Sequence, residues 1–271
     1  FVPPQGLRPH THEERQQVAL DLLNGWRGAF GSRLVAVAST ASIARGDDRS
    51  YSDLELVVFL RDLPGPDDDR NFQRIVGGLL VEAEYVTEAS YLERYRILSR
   101  DWYFSGAAPL RPLFNAQVVE RVRAARDAIT YTSDAFLLRA AERFLDVQES
   151  FGKVLSAVST HDRSAVPLLV ADAVTQALIT LSFLNRRPFT TLAAFVPEGR
   201  AFTEKPSGFD DLLDLLEKGR FDELDRIREV IQHVFVGFEE MFDVRGHVLY
   251  DESFDPALPN RNYTSGSSQG R

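Results

Sequence analysis

Two carboxylates, Asp53 and Glu55, stand two residues apart where an apolar run, Leu54–Leu60 (LELVVFL), begins. If that run is a strand, its period of two turns both side chains to one face. Paired carboxylates on one face repel each other unless a cation lies between them, and hard oxygen ligands of this kind suit magnesium. Upstream, a short β-branched run at 33–39 (RLVAVAS) leads into Ala41-Ser42, a turn of small residues. Small residues let backbone N–H groups approach a phosphate, and the Ser42 hydroxyl adds a donor. Arg45 is close enough in sequence to neutralise phosphate charge. Together these residues make a triphosphate site beside a metal site. Each also has a plainer reading. Asp-x-Glu is common on half-exposed strands, and Arg45 could simply pair with Asp47 or Asp48.

Other charged residues are read against the same alternatives. Glu149 and Lys153 are four apart, the spacing of an ordinary surface salt bridge on a helix. They sit at the edge of an apolar stripe, where partial burial would tune both groups. Glu82 and Glu84 share one strand face, and either could be merely solvated. Asp47-Asp48 lacks the glycine and distal glutamate of a calcium loop. The histidines, His10, His12, His161, His233 and His247, are too scattered for a zinc site. Glu239-Glu240 reads as a solvated helix face.

These residues need elements to hold them. Thr11 and Glu14 form a capping box, followed by Val18, Leu22, Leu23 and Trp26 at helical spacing, with Gly28 and Gly31 ending the helix. The runs 33–39, 54–60 and 79–86 read as strands, 63–69 as a loop and 91–98 as a short helix. From about Asn115 the pattern becomes helical. A stretch capped by Ser133 runs to about Val158, and further helices are expected at 166–184, 209–216 and 221–242. The expected organisation is a small α/β domain at 1–115, a helical domain at 116–250 and a polar tail at 251–271, expected to be largely disordered.

The 271 residues are 44% apolar and 26% charged, ample for a real core, with a net charge of −9. Acidity repels nucleic-acid polymers and is compatible with a polycationic small substrate, although it can equally serve solubility alone. There are no cysteines, which excludes disulfides, thiolate metal sites and thiol nucleophiles. The first residues are Pro-rich and polar, and are not expected to be a signal peptide. The chain begins at Phe1 and its single methionine is Met241, so it is expected to start inside a longer chain or to be processed. The most apolar stretch, 166–184, is interrupted by Asp172 and Gln176, and reads as a buried helix, not a membrane span. A cytoplasmic protein is expected.

A small turn ending in Ser42, then Asp53-x-Glu55 on the next strand, resembles the nucleotidyltransferase superfamily that includes DNA polymerase beta. Ala41 stands where that signature has glycine. The resemblance narrows with Thr11-His12-Glu13-Glu14-Arg15, Tyr51-Ser52-Asp53-Leu54-Glu55 and Glu149-x-x-Gly152-Lys153. Val81-Glu82, Asp101-Trp102, Phe189-Thr190-Thr191 and Pro206-Ser207-Gly208-Phe209-Asp210 follow the same order. These motifs resemble the aminoglycoside 4'-O-nucleotidyltransferases that modify kanamycin and tobramycin.

The resemblance implies an α+β fold, with a mixed-sheet nucleotidyltransferase domain followed by a helical bundle. It implies Mg2+ on Asp53 and Glu55, and ATP as co-substrate held by Ser42, Arg45 and Lys153. Thr190 and Thr191 would lie on the nucleotide side, and Glu82 and Asp101 toward the antibiotic. Glu149 would be the general base, meeting the antibiotic as well. The family's active sites are shared across a homodimer. No nucleic-acid or membrane partner is implied. Transfer to a protein or RNA acceptor, or a non-catalytic nucleotide-binding or antitoxin-like protein on the same fold, are the competing readings. A fold alone does not separate them.

Overall fold

The computed structural model describes residues 6–63, 65, 71–106, 108–247 and 249. The expected tail at 251–271 and most of the 63–69 loop lie outside them. The chain divides into two compact units, Phe1–Tyr131 and Thr132–Arg271.

In the first unit, helix α1 (His12–Phe30) starts on the capping box. The Thr11 hydroxyl accepts from the Glu14 N–H, and the Glu14 carboxylate accepts from the Thr11 N–H. Gly28 lies inside α1, and Gly31, at φ 50°, ends it. Strands β1 (Leu34–Ser39) and β2 (Leu54–Leu60) follow, separated by a short helix, α2 (Ala41–Arg45). Strand β3 (Asn71–Val76), which the residue pattern does not announce, forms a hairpin with β4 (Leu79–Val86). Gly77 and Gly78 turn that hairpin at φ 59° and 90°. Two successive positive φ values match the twist of a two-residue β-hairpin, and glycine adopts them without steric cost. The expected helix at 91–98 begins earlier, as α3 (Glu88–Glu93) capped by Thr87. Then come α4 (Trp102–Ser105), a second unanticipated strand, β5 (Arg111–Phe114), and α5 (Ala116–Asp127).

The strands form one mixed sheet in the order β3-β4-β2-β1-β5. Among the described residues, β2 and β4 run parallel and the other three pairings are antiparallel. Each face buries its own apolar set. Ala19, Leu23 and Trp26 of α1 pack with Val37, Leu56 and Val58 on one side. Tyr91 and the α5 residues Val118, Val119 and Val122 pack with Ala36, Val57 and Phe59 on the other. The alternation of Leu56 and Val58 against Val57 and Phe59 is the period-two pattern of a strand covered on both faces.

The second unit is helical: α6 (Ser133–Ser159), α7 (Val166–Leu184), α8 (Phe195–Arg200), α9 (Phe209–Glu217) and α10 (Leu224–Asp243). The N-cap of α6 is Thr132, whose hydroxyl accepts from the Ala135 N–H; Ser133 is already the first helical residue. The Phe144 ring of α6 packs against Phe235, Phe238 and Phe242 of α10 at centroid separations of 5.2 to 5.6 Å. Helix α7 is long and apolar enough to cross a membrane, but it is buried continuously from Ala177 through Leu184. Its polar interruption has a use: Asp172 accepts from Ser150 of α6 at 2.5 Å and from Gln176 at 3.2 Å. Gly199 of α8 lies so close to Leu178 that a Cβ there would collide with it.

Candidate active site

Asp53 ends the loop that enters β2, and Glu55 is the second residue of that strand. The parallel register sets Glu55 of β2 directly opposite Glu82 of β4. Asp53, Glu55 and Glu82 each offer a carboxylate oxygen within 4.8 Å of the others, and all three are half-buried. The two strands therefore build a three-carboxylate cluster on the sheet face that carries Val57 and Phe59. A neighbouring pocket of about 330 Å³ is lined by Thr40, Glu55, Asn71, Gln73, Glu82 and Glu84, among others.

The electrostatics follow from that crowding. Burial pushes the Glu55 carboxyl up to about 7, with the negative charges of Asp53 and Glu82 adding to the rise and Arg45 opposing it. Asp53 is also raised, first by burial. Its backbone hydrogen bond and Arg15 pull the other way, against Glu82. Three half-buried oxygen donors, with Asp53 and Glu55 both resisting ionisation, fit a hard divalent cation, which would relieve the repulsion among them.

This predicts a pH signature in the metal-free protein. A carboxyl raised by folding favours the folded state fully below its ordinary value. That advantage is lost as pH rises from about 4.5 through 7. The span corresponds to roughly 3 kcal/mol, which solvent access reduces to about 2 kcal/mol. In chelator, Glu55→Gln should therefore match wild type near pH 4.5 and exceed it by that amount at pH 8, measured by urea unfolding. A difference that stays flat with pH would remove the strain assigned to Glu55.

Around the cluster, Ala41-Ser42 forms the first turn of α2, with Ala41 at φ 52°, not an open turn. The Ser42 carbonyl accepts from the N–H groups of Gly46 and Asp47. Arg45 donates through Nε to both Asp47 oxygens, at 3.0 and 3.2 Å, so the plainer pairing is present, while its charge also reaches Glu55. Glu82 accepts a short hydrogen bond from Gln73 of β3, and Glu84 is engaged by Arg94 at 2.7 Å. Asp101 is exposed at the start of α4, where its backbone carbonyl accepts from the Ser105 hydroxyl.

In the second unit, Lys153 Nζ lies 2.7 Å from Glu149 Oε1 on α6. Both side chains are more than half exposed, so the partial burial expected from the apolar stripe is absent. Pairing with Glu149 holds the Lys153 ammonium above its usual range. Thr190 donates to Glu198 at 2.6 Å, and Thr191 begins the single turn Leu192–Ala194.

Arg15 carries more of the site than its place in the Thr11–Arg15 motif suggests. It occupies the buried stripe of α1 with Ala19, Leu23 and Trp26. A charged residue in register with an apolar stripe is the signal that marks it in the sequence.

Residues 117–247 match the family model of the KNTase C-terminal domain. The aminoglycoside nucleotidyltransferase (4') of Staphylococcus aureus is 20% identical over 249 residues, covering 88% of this chain and 94% of that one. A Bacillus sp protein of the same name shows the same identity and coverage. The similarity to 4'-nucleotidyltransferases thus extends over nearly the whole length. A solved nucleotidyltransferase-like protein from Exiguobacterium sibiricum 255-15 aligns at 12% identity, with a TM-score of 0.45 over 84% of this chain and 79% of that one.

Proposed function

We propose that this chain transfers AMP from ATP to the 4'-hydroxyl of an aminoglycoside, releasing pyrophosphate and so conferring resistance. The observation that carries the reading is the carboxylate cluster of Asp53, Glu55 and Glu82, brought together by the parallel pairing of β2 and β4. The similarity to enzymes named for aminoglycoside nucleotidyl transfer supports it.

Asp53 and Glu55 would hold Mg2+, with Glu82 beside it; the bound metal supplies neutralising charge to the phosphate oxygens. The protein's own work is placement and charge stabilisation. Ser42 and Arg45 would contact the polyphosphate, Arg45 exchanging Asp47 for phosphate oxygen. Lys153 would add a second cation there, with Thr190 and Thr191 on the nucleotide side. The sugar hydroxyl attacks the α-phosphorus in line, the bond to the bridging oxygen of pyrophosphate breaks, and Glu149 takes the hydroxyl proton. Carboxylates at Glu82, Glu149 and Asp101 would attract the ammonium groups of the antibiotic. The enzyme would act in the cytoplasm, where ATP is available.

The direct test is mass spectrometry of tobramycin or kanamycin incubated with the protein, ATP and magnesium. Addition of one AMP at the 4' position is the expected product. An unmodified antibiotic beside an adenylylated protein or RNA would replace the acceptor.

The proposed active site is shared between two subunits, Asp53 of one chain serving with Glu149 of its partner. Mixing inactive Asp53→Asn and Glu149→Gln chains should then restore about a quarter of the wild-type sites, by random pairing of equal amounts. Full activity from a species that is monomeric in analytical ultracentrifugation would contradict sharing.

A further inference from the structure

The side chains of Arg15 and Asp48 are each 1% exposed and form an ion pair, Nη1 to Oδ2, of 3.1 Å. The guanidinium does more than answer one charge. Its Nε donates to the Ser52 carbonyl at 2.9 Å and its Nη2 to the Arg49 carbonyl at 2.6 Å. Nη1 also reaches the carbonyls of His10 at 2.8 Å and Thr11 at 3.2 Å. The second oxygen of Asp48 meets His12 Nδ1 at 2.6 Å. One side chain on α1 therefore grips the loop between α2 and β2 at three places, the last of them the residue before Asp53.

Burying such a pair costs desolvation that an apolar pair would not incur, so stability is a weak reason for it. A planar fork with five donors instead fixes the carbonyls it binds in distance and direction. We infer that Arg15 and Asp48 are positioning residues, which clamp the 46–53 loop to α1 so that Asp53 is delivered beside Glu55 and Glu82. The inference rests on the reading of these three carboxylates as a cation site.

Mn2+ alone serves as the probe, its affinity measured by electron paramagnetic resonance at a temperature where circular dichroism shows every variant folded. Arg15→Lys keeps the charge but loses the fork, and Asp48→Asn keeps the shape but loses the charge. Each should weaken Mn2+ binding about tenfold or more, the usual effect of removing the support behind a metal ligand. Leu23→Ala, in the same helix and core, should lower Tm and bind Mn2+ as wild type does. The inference is overturned if Arg15→Lys and Asp48→Asn bind as tightly as wild type, or if Leu23→Ala weakens binding as much as they do. Where Asp48→Asn does not fold, Arg15→Lys decides. A wild-type protein that binds no Mn2+ overturns the cation site itself, which is a separate result.

Discussion

Asp53→Asn should bring nucleotidyl transfer down by roughly three orders of magnitude or more while leaving the fold intact. The substitution keeps the shape of the side chain and removes one charge from a cluster whose value lies in its combined charge. Glu55→Gln should be as severe in activity, although it relieves strain in the metal-free protein. That opposition between stability and activity distinguishes a working site from a packing contact, which would lose both together. Pyrophosphate release measured alongside circular dichroism makes the comparison, and excess chelator should reproduce the loss in the wild type. Near-normal turnover by either variant, or in chelator, would take the cation out of the mechanism.

Glu149→Gln is the second large effect. It should lower the chemical step by about two to four orders of magnitude. Binding of ATP and antibiotic should change little by comparison. Glutamine preserves the length and a hydrogen-bond acceptor toward Lys153, so the i, i+4 contact on α6 survives in weaker form and the basicity does not. An exposed salt bridge with no other role contributes little to stability and nothing to the chemical step. Its loss would leave the rate nearly unchanged, so the two readings of the pair predict results far apart. Lys153→Ala should behave differently, weakening nucleotide binding and the chemical step together. If Glu149→Gln turns over near the wild-type rate in single-turnover assays, the base lies elsewhere and Glu82 is the next residue to test.

The elements with strong local signals are legible in the residues themselves. Strand β2 and helix α7 have the bounds that their apolar runs predict, and α1 starts on the capping box formed by Thr11 and Glu14. Asp53 and Glu55 share a face because their spacing matches the strand period, which is a local property. Strand β3 gives no such signal because five of its six residues are exposed, which leaves no alternation to detect. That weakness is a consequence of lying at the sheet edge.

What the chain does not disclose locally is partnership. Glu82 joins the cluster only because β4 returns parallel to β2, with the hairpin partner β3 placed outside it. Glu84, two residues along the same face, is taken up by Arg94 instead. Register between strands far apart in sequence is set by the packing of both sheet faces, and a one-residue slip would send Glu82 to the opposite side. The same holds for Arg15. Its place on α1 follows from helical periodicity, but the carbonyls it holds at Arg49 and Ser52 belong to a loop more than thirty residues away. Local spacing sets which way a side chain points along its own element; which groups it meets depends on contacts that form only when the whole sheet and its covering helices close together.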